Sequence, residues 1–121
     1  MLVTNESETG DSIKRLFDTS KRVNSRSVSL VRTLILVLIG YSVDGIQYRE
    51  LKAALKISDG QLISNLNQLV AMKYIEKQEV TIDNRKVDIY VPTEEGKDEL
   101  IRITQWMNSV QNVVKIICQK T

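Results

Sequence analysis

Gln61, Ser64, Asn65, Asn67 and Gln68 fall within eight consecutive residues, and each side chain both donates and accepts hydrogen bonds. Between them stand Leu62, Leu66 and Leu69, whose spacing predicts a helix over residues 58–73 with one apolar face. The opposite face then presents Gln61, Ser64 and Gln68, with Asn65 and Asn67 on its flanks. Exposed helices usually carry Lys and Glu there; neutral amides and a hydroxyl take their place in this chain. Such a face suits the edges of bases in a DNA major groove, where Asn and Gln pair with adenine in a bidentate way. An ordinary polar helix face is the alternative, and residues 58–73 alone do not separate the two.

The rest of the inventory excludes more chemistry than it suggests. The 121 residues contain no His and one Cys. Imidazole and thiolate metal sites, and nucleophilic catalysis assisted by His, therefore lack their materials. No enzyme activity, metal or cofactor is expected. A lone Cys excludes a disulfide within the chain, which agrees with a cytoplasmic protein, and Cys118 reads as a bystander. The polar start, Val3-Thr4-Asn5-Glu6-Ser7-Glu8, lacks the apolar centre of a signal peptide, and no apolar run reaches the ~20 residues of a membrane span. Net charge is +2, compatible with nucleic-acid binding without announcing it. The one basic excess lies in residues 25–60, where Arg26, Arg32, Arg49, Lys52 and Lys56 outnumber Asp44, Glu50 and Asp59.

The elements that position the amide face can be taken in order. Residues 1–10 are expected to be a disordered tail. Residues 11–24 form a short amphipathic helix on Ile13, Leu16, Phe17 and Val23. After a break, Ser27 is the expected cap of a helix over 28–41, which is apolar around most of its circumference and so needs cover on more than one side. Residues 42–45 are a turn, and 46–48 a short extended piece or the start of the next helix. That helix runs from Tyr48 to Lys56, with Leu51, Ala54 and Leu55 inward and Arg49, Lys52 and Lys56 outward. Ser58 and Gln61 have capping-box spacing, so only two or three residues part this helix from the next, the spacing of a helix-turn-helix. Two strands, residues 75–82 and 87–92, flank a turn carrying Arg85 and Lys86 and make a β-hairpin. Thr93 caps a last helix with Glu94, Glu95, Asp98 and Glu99 near its positive end. In it Leu100, Ile103, Met107, Val110, Val114 and Ile117 follow the spacing of a coiled-coil seam. Leaving six such side chains in water would forgo on the order of 10 kcal/mol, which calls for a partner surface.

The fold class expected is mainly α with a small β-hairpin. The segments Tyr48-Arg49-Glu50-Leu51-Lys52-Ala53-Ala54-Leu55, Ser58 through Leu69, Lys73-Tyr74-Ile75-Glu76 and Tyr90-Val91-Pro92-Thr93-Glu94-Glu95-Gly96 carry a resemblance. Their order resembles the winged helix-turn-helix transcriptional regulators, in particular the MarR-like and ArsR-like groups of bacteria and archaea. The resemblance implies a DNA-binding domain over 27–93 and a C-terminal dimerisation helix over 94–121. By position it implies DNA contacts from Gly60, Gln61, Ser64, Asn65 and Gln68 on the recognition helix, Arg49 before it, and Asn84, Arg85 and Lys86 on the wing. The implied homodimer interface comprises Leu16, Phe17, Leu100, Ile103, Met107, Val110, Val114 and Ile117, together with the outer side of residues 28–41. The chain departs from the pattern in having no basic residue on the recognition helix before Lys73. That departure keeps a second reading open, a winged helix serving protein–protein contact or a subunit of a transcription assembly. A small-molecule effector between dimer helices is compatible with the sequence, which shows no site for one.

Overall fold

The computed structural model describes residues 6–120. Its elements are α1 (Glu6–Arg22), α2 (Leu30–Tyr41), β1 (Ile46–Gln47), α3 (Tyr48–Leu55), α4 (Asp59–Ala71), β2 (Ile75–Ile82), β3 (Arg85–Pro92) and α5 (Glu94–Gln119). Two compact units emerge, residues 26–100 and a second made of the chain up to Ser25 with the chain from Ile101 onward. Among the described residues no helix is long and apolar enough to cross a membrane. Of the stretch expected as a tail, residues 6–10 are helical, and residues 1–5 lie outside the described residues. Only Gly10 opposes a helix in that stretch, at a cost of about 1 kcal/mol.

The core of the 26–100 unit forms where four apolar faces meet. α2 contributes Ile35, Leu36 and Ile39, α3 Leu51, α4 Leu62, Leu66 and Leu69, and the sheet Ile46, Ile75 and Tyr90, with Tyr74 before β2. Each α4 leucine is at most 1% exposed, as the spacing predicts. Ala54 is exposed instead of inward, since Leu51 and Leu55 already occupy the buried side of the short α3. α2 is not covered all round: Leu30, Leu34, Val37 and Tyr41, at i, i+4, i+7 and i+11, stay exposed, Tyr41 by 85%.

Ser29, not Ser27, caps α2. Its backbone is extended, and its hydroxyl accepts a hydrogen bond from the Arg32 N–H at 3.1 Å. Ser27 lies two residues too early for that and is fully buried, donating its hydroxyl to the Glu99 carboxylate at 2.6 Å. Glu99 is likewise fully buried, so its role is this internal contact and not the solvent-facing dipole partnership its position suggested.

The helix-turn-helix closes as the residues predict. Lys56 takes the left-handed conformation (φ 55°) and ends α3; Ser58 returns to extended backbone and its hydroxyl accepts from the Gln61 N–H at 3.2 Å. At the far end of α4, Lys73 is left-handed (φ 65°), which lets the Tyr74 N–H reach the Leu69 carbonyl at 3.0 Å.

The hairpin gains a third strand. Order in the antiparallel sheet is β1-β3-β2, with Ile46 opposite Tyr90 and Ile75 opposite Pro92. Gly45 admits β1 to the sheet: its φ of +88° strains any residue with a side chain, and a Cβ there would also press on Ile89 and Val91. The hairpin turn is only Asp83-Asn84, both with positive φ (50° and 63°), as a tight two-residue turn requires. Arg85 and Lys86 therefore begin β3 opposite Ile82 and Thr81, correcting the longer turn expected over 83–86.

The junction of wing and last helix is built on Thr93 and Gly96. Thr93 donates its hydroxyl to the Lys73 carbonyl at 2.6 Å and accepts from the Gly96 N–H at 2.9 Å, while its own N–H bonds the Tyr74 carbonyl at 3.1 Å. A Cβ on Gly96 would stand 2.0 Å from that same Tyr74 oxygen.

In the other unit, Thr19 of α1 and Ser109 of α5 are buried and meet hydroxyl to hydroxyl at 3.0 Å. Ile103 is fully buried.

Candidate nucleic-acid interface

α4 is held from beneath by Leu62, Leu66 and Leu69, and this fixes what it shows outside. Gly60, Gln61, Ser64, Asn67 and Gln68 are exposed, and Gly60 has open space where a side chain would stand. No charged side chain interrupts this surface between Asp59 and the end of the helix.

Asn65 departs from expectation. It is half-buried; its Oδ1 accepts from Arg32 Nε at 2.8 Å, and its Nδ2 donates to the Gln61 carbonyl at 2.7 Å. Both ends of the amide thus hold a partner within the chain, an engagement its position on the helix did not announce.

The remaining predicted contacts are exposed. Arg49 stands in the first turn of α3. Asn84 occupies the wing turn, with Arg85 and Lys86 directly after it, pointing to opposite faces of β3. Lys86 Nζ lies 3.8 Å from Glu79, a solvent-exposed pair worth little. The wing thus presents two exposed cations, Lys86 with Glu79 beside it and Arg85 opposite Ile82.

Sequence reasoning missed a cluster that ties α3 to the start of α4. The Tyr48 hydroxyl donates to Asp59 Oδ1 at 2.6 Å, and Lys52 Nζ lies 2.9 Å from the same oxygen. The hydrogen bond to Asp59 pushes the Tyr48 hydroxyl up from 10.0 to about 12, and the bonds from Tyr48 and Lys52 hold Asp59 below its ordinary 3.8. The available signal was the i, i+4 pair Tyr48 and Lys52 on one side of α3, with an acid just past the turn.

The two shifts set opposite pH limits. Asp59, depressed in the fold, contributes stability at pH above 3.8 that is lost as pH falls below it; Tyr48, raised in the fold, contributes stability below pH 10 that is lost between 10 and 12. The melting-temperature advantage of wild type over Tyr48→Phe should accordingly be widest between these limits and shrink on both sides. A difference that stays constant across pH 3–12 would remove the cluster from the account.

The apolar side chains expected to meet a second copy differ in exposure. Met107, Val114 and Ile117 on α5 are 46, 47 and 59% exposed, and Phe17 on α1 is 58% exposed. Leu16, Leu100 and Val110 are half-buried, Leu100 against the core of the 26–100 unit. Ile103, also on the expected seam, is fully buried within its own chain.

Comparison with known proteins adds to this geometry. The sequence profile of the family described as "Winged helix DNA-binding domain" matches residues 31–111. Among solved structures, the adhesin competence repressor AdcR of Streptococcus pyogenes is similar at a TM-score of 0.58 and 20% identity, over 98% of this chain and 85% of that one. An uncharacterized SlyA-like transcription regulator from Listeria monocytogenes gives 0.57 and 22%, over 94% and 75%. A MarR-family transcriptional regulator from Rhodococcus sp. RHA1 gives 0.56 and 19%, over 88% and 71%. At such identities the likeness is one of fold. No curated protein sequence matches the chain.

Proposed function

Since the chain belongs to the family of winged helix DNA-binding domains, we propose that it is a transcriptional regulator that binds double-stranded DNA as a homodimer. The observation that carries this reading is the exposed face of α4, where Gly60, Gln61, Ser64 and Gln68 offer donors and acceptors without charge above a leucine-packed base. In the major groove the two glutamines read base edges, and the bare backbone at Gly60 allows close approach. Arg49 and the wing residues Asn84, Arg85 and Lys86 take the phosphate backbone, which supplies most of the affinity and its dependence on salt.

Two copies are needed because one α4 without arginine recognises sequence weakly. Phe17 with Met107, Val114 and Ile117 forms the apolar surface for the second copy. The exposed Leu30, Leu34, Val37 and Tyr41 of α2 are a further apolar surface for that copy. Two recognition helices about 34 Å apart then meet successive major grooves of a pseudo-palindromic site. On this reading the chain acts in the cytoplasm.

Titration of a duplex at several salt concentrations tests the assignment of the wing. Arg85→Ala with Lys86→Ala should weaken binding to every sequence alike and reduce the slope of log K against log salt by about 2 per chain. An unchanged slope removes the wing from the interface.

A further inference from the structure

α4 has no basic residue on its exposed face, yet a guanidinium stands beside that face. Arg32, in the first turn of α2, is half-buried and is the only charged residue of that helix. Its Nε donates to Asn65 Oδ1 at 2.8 Å, and its Nη1 donates to the Arg26 carbonyl. These two bonds leave in different directions, so the planar group is fixed in orientation as well as in place. Its Nη2 makes no hydrogen bond among the described residues.

Charge distinguishes Arg32 from the other paired cations. Lys52, Lys77, Lys86 and Lys97 each lie within 4 Å of a carboxylate. Arg32 is held by an amide oxygen and a backbone carbonyl, neutral acceptors that orient a cation without cancelling its charge. With no carboxylate within 4 Å among the described residues, the guanidinium keeps its charge for an anion from outside the chain. The position of Asn65 says where: it lies one turn after Gln61, to whose carbonyl it is bonded at 2.7 Å, and one turn before Gln68. Asn65 is therefore flanked by both exposed glutamines on its own side of α4, and Arg32 is anchored at the border of that surface.

We propose that Arg32 binds a phosphate oxygen of the DNA strand bordering the groove that α4 enters, with Asn65 as its positioning residue. The inference rests on the DNA-binding reading above. It supplies from α2 the guanidinium that the recognition helix lacks, and it explains why an amide within the polar stretch is spent inside the protein. A fixed fork loses little freedom on meeting a phosphate, which is where arginine exceeds lysine.

The test is a set of duplex titrations over several salt concentrations with wild type, Arg32→Gln, Asn65→Ala, the double variant and Arg32→Lys, each checked for cooperative melting. Arg32→Gln should weaken binding roughly tenfold and lower the salt slope by about 1. Asn65→Ala should weaken it less and keep the slope. The double variant should match Arg32→Gln, because Asn65 acts through Arg32. Arg32→Lys, which keeps the charge without the fork, should retain the slope and lose affinity. Wild-type affinity and slope in Arg32→Gln overturn the phosphate contact while leaving DNA binding intact. A further loss on adding Asn65→Ala to Arg32→Gln overturns the positioning role and returns Asn65 to base contact. A lysine variant indistinguishable from wild type overturns the fixed fork. No duplex binding by wild type overturns the DNA-binding reading itself, and this inference with it.

Discussion

Gly96→Ala is expected to destabilise the protein by about 3 kcal/mol, the upper part of the range for overpacked sites, and to lower its melting temperature by roughly 10 °C. Helix propensity argues the other way. Gly96 lies in the first turn of α5, where alanine is favoured over glycine by about 1 kcal/mol. The opposing term is contact: the new Cβ would meet the Tyr74 carbonyl oxygen at 2.0 Å and its carbon at 2.9 Å. Backbone cannot rotate away as a side-chain tip can, so α5 or the start of β2 must move. Either movement strains the Thr93 N–H bond to Tyr74 and the Thr93 hydroxyl bond to Lys73, which together hold the wing to the start of α5. A thermal melt decides between the two terms by sign. An alanine variant as stable as wild type, or more so, would show that this junction is not close-packed.

Val114→Glu with Ile117→Glu is expected to cause the largest loss of DNA affinity of any change that leaves α4 and the wing intact. Both side chains are about half exposed on α5, so carboxylates there are tolerated in a single chain. Between the two copies of the proposed dimer they would bury like charges, and the copies would separate. Losing the second recognition helix removes the gain from linked binding, which runs to roughly 100-fold or more. Sedimentation should show the variant as a single chain with unchanged helical content, and duplex titration should show the corresponding drop. A variant that still sediments as a dimer would move the interface away from this stripe, toward the exposed side of α2.

What the sequence revealed and what it hid follow from the range of the interactions involved. The helix-turn-helix was legible because its signals are local: leucines at helical spacing, a serine three residues before Gln61, and a two- or three-residue gap between helices. The hairpin was legible from alternation, and the Thr93 cap from its position before a run of acids. Hidden were the contacts between residues far apart in the chain. Asn65 looked like any amide of its face until Arg32, 33 residues earlier, was seen to bond it. Ser27 looked like a cap until its hydroxyl was found on Glu99, 72 residues away. The α5 stripe was correct as apolar spacing, but spacing does not say which side of a helix its own chain covers. Ile103 faces inward while Met107, Val114 and Ile117 remain outside. The extended piece at 46–48 was one of two readings, and its pairing with β3 was not legible because two residues are too few to show a period; only Gly45 hinted that the backbone comes close to something there.

If the uncharged face of α4 recognises sequence in duplex DNA, the duplexes that the protein selects must carry its mark. Selection of bound duplexes from a random pool by the wild-type protein at moderate salt tests it most directly. The expected result is enrichment of a pseudo-palindrome with half-site centres about one helical turn apart, adenine contacts placed where Gln61 and Gln68 reach, and loss of that enrichment in Gln61→Ala with Gln68→Ala. Absence of duplex binding, or binding in which the double variant enriches the same sequences as wild type, would contradict it and leave the protein–protein reading of this winged helix in its place.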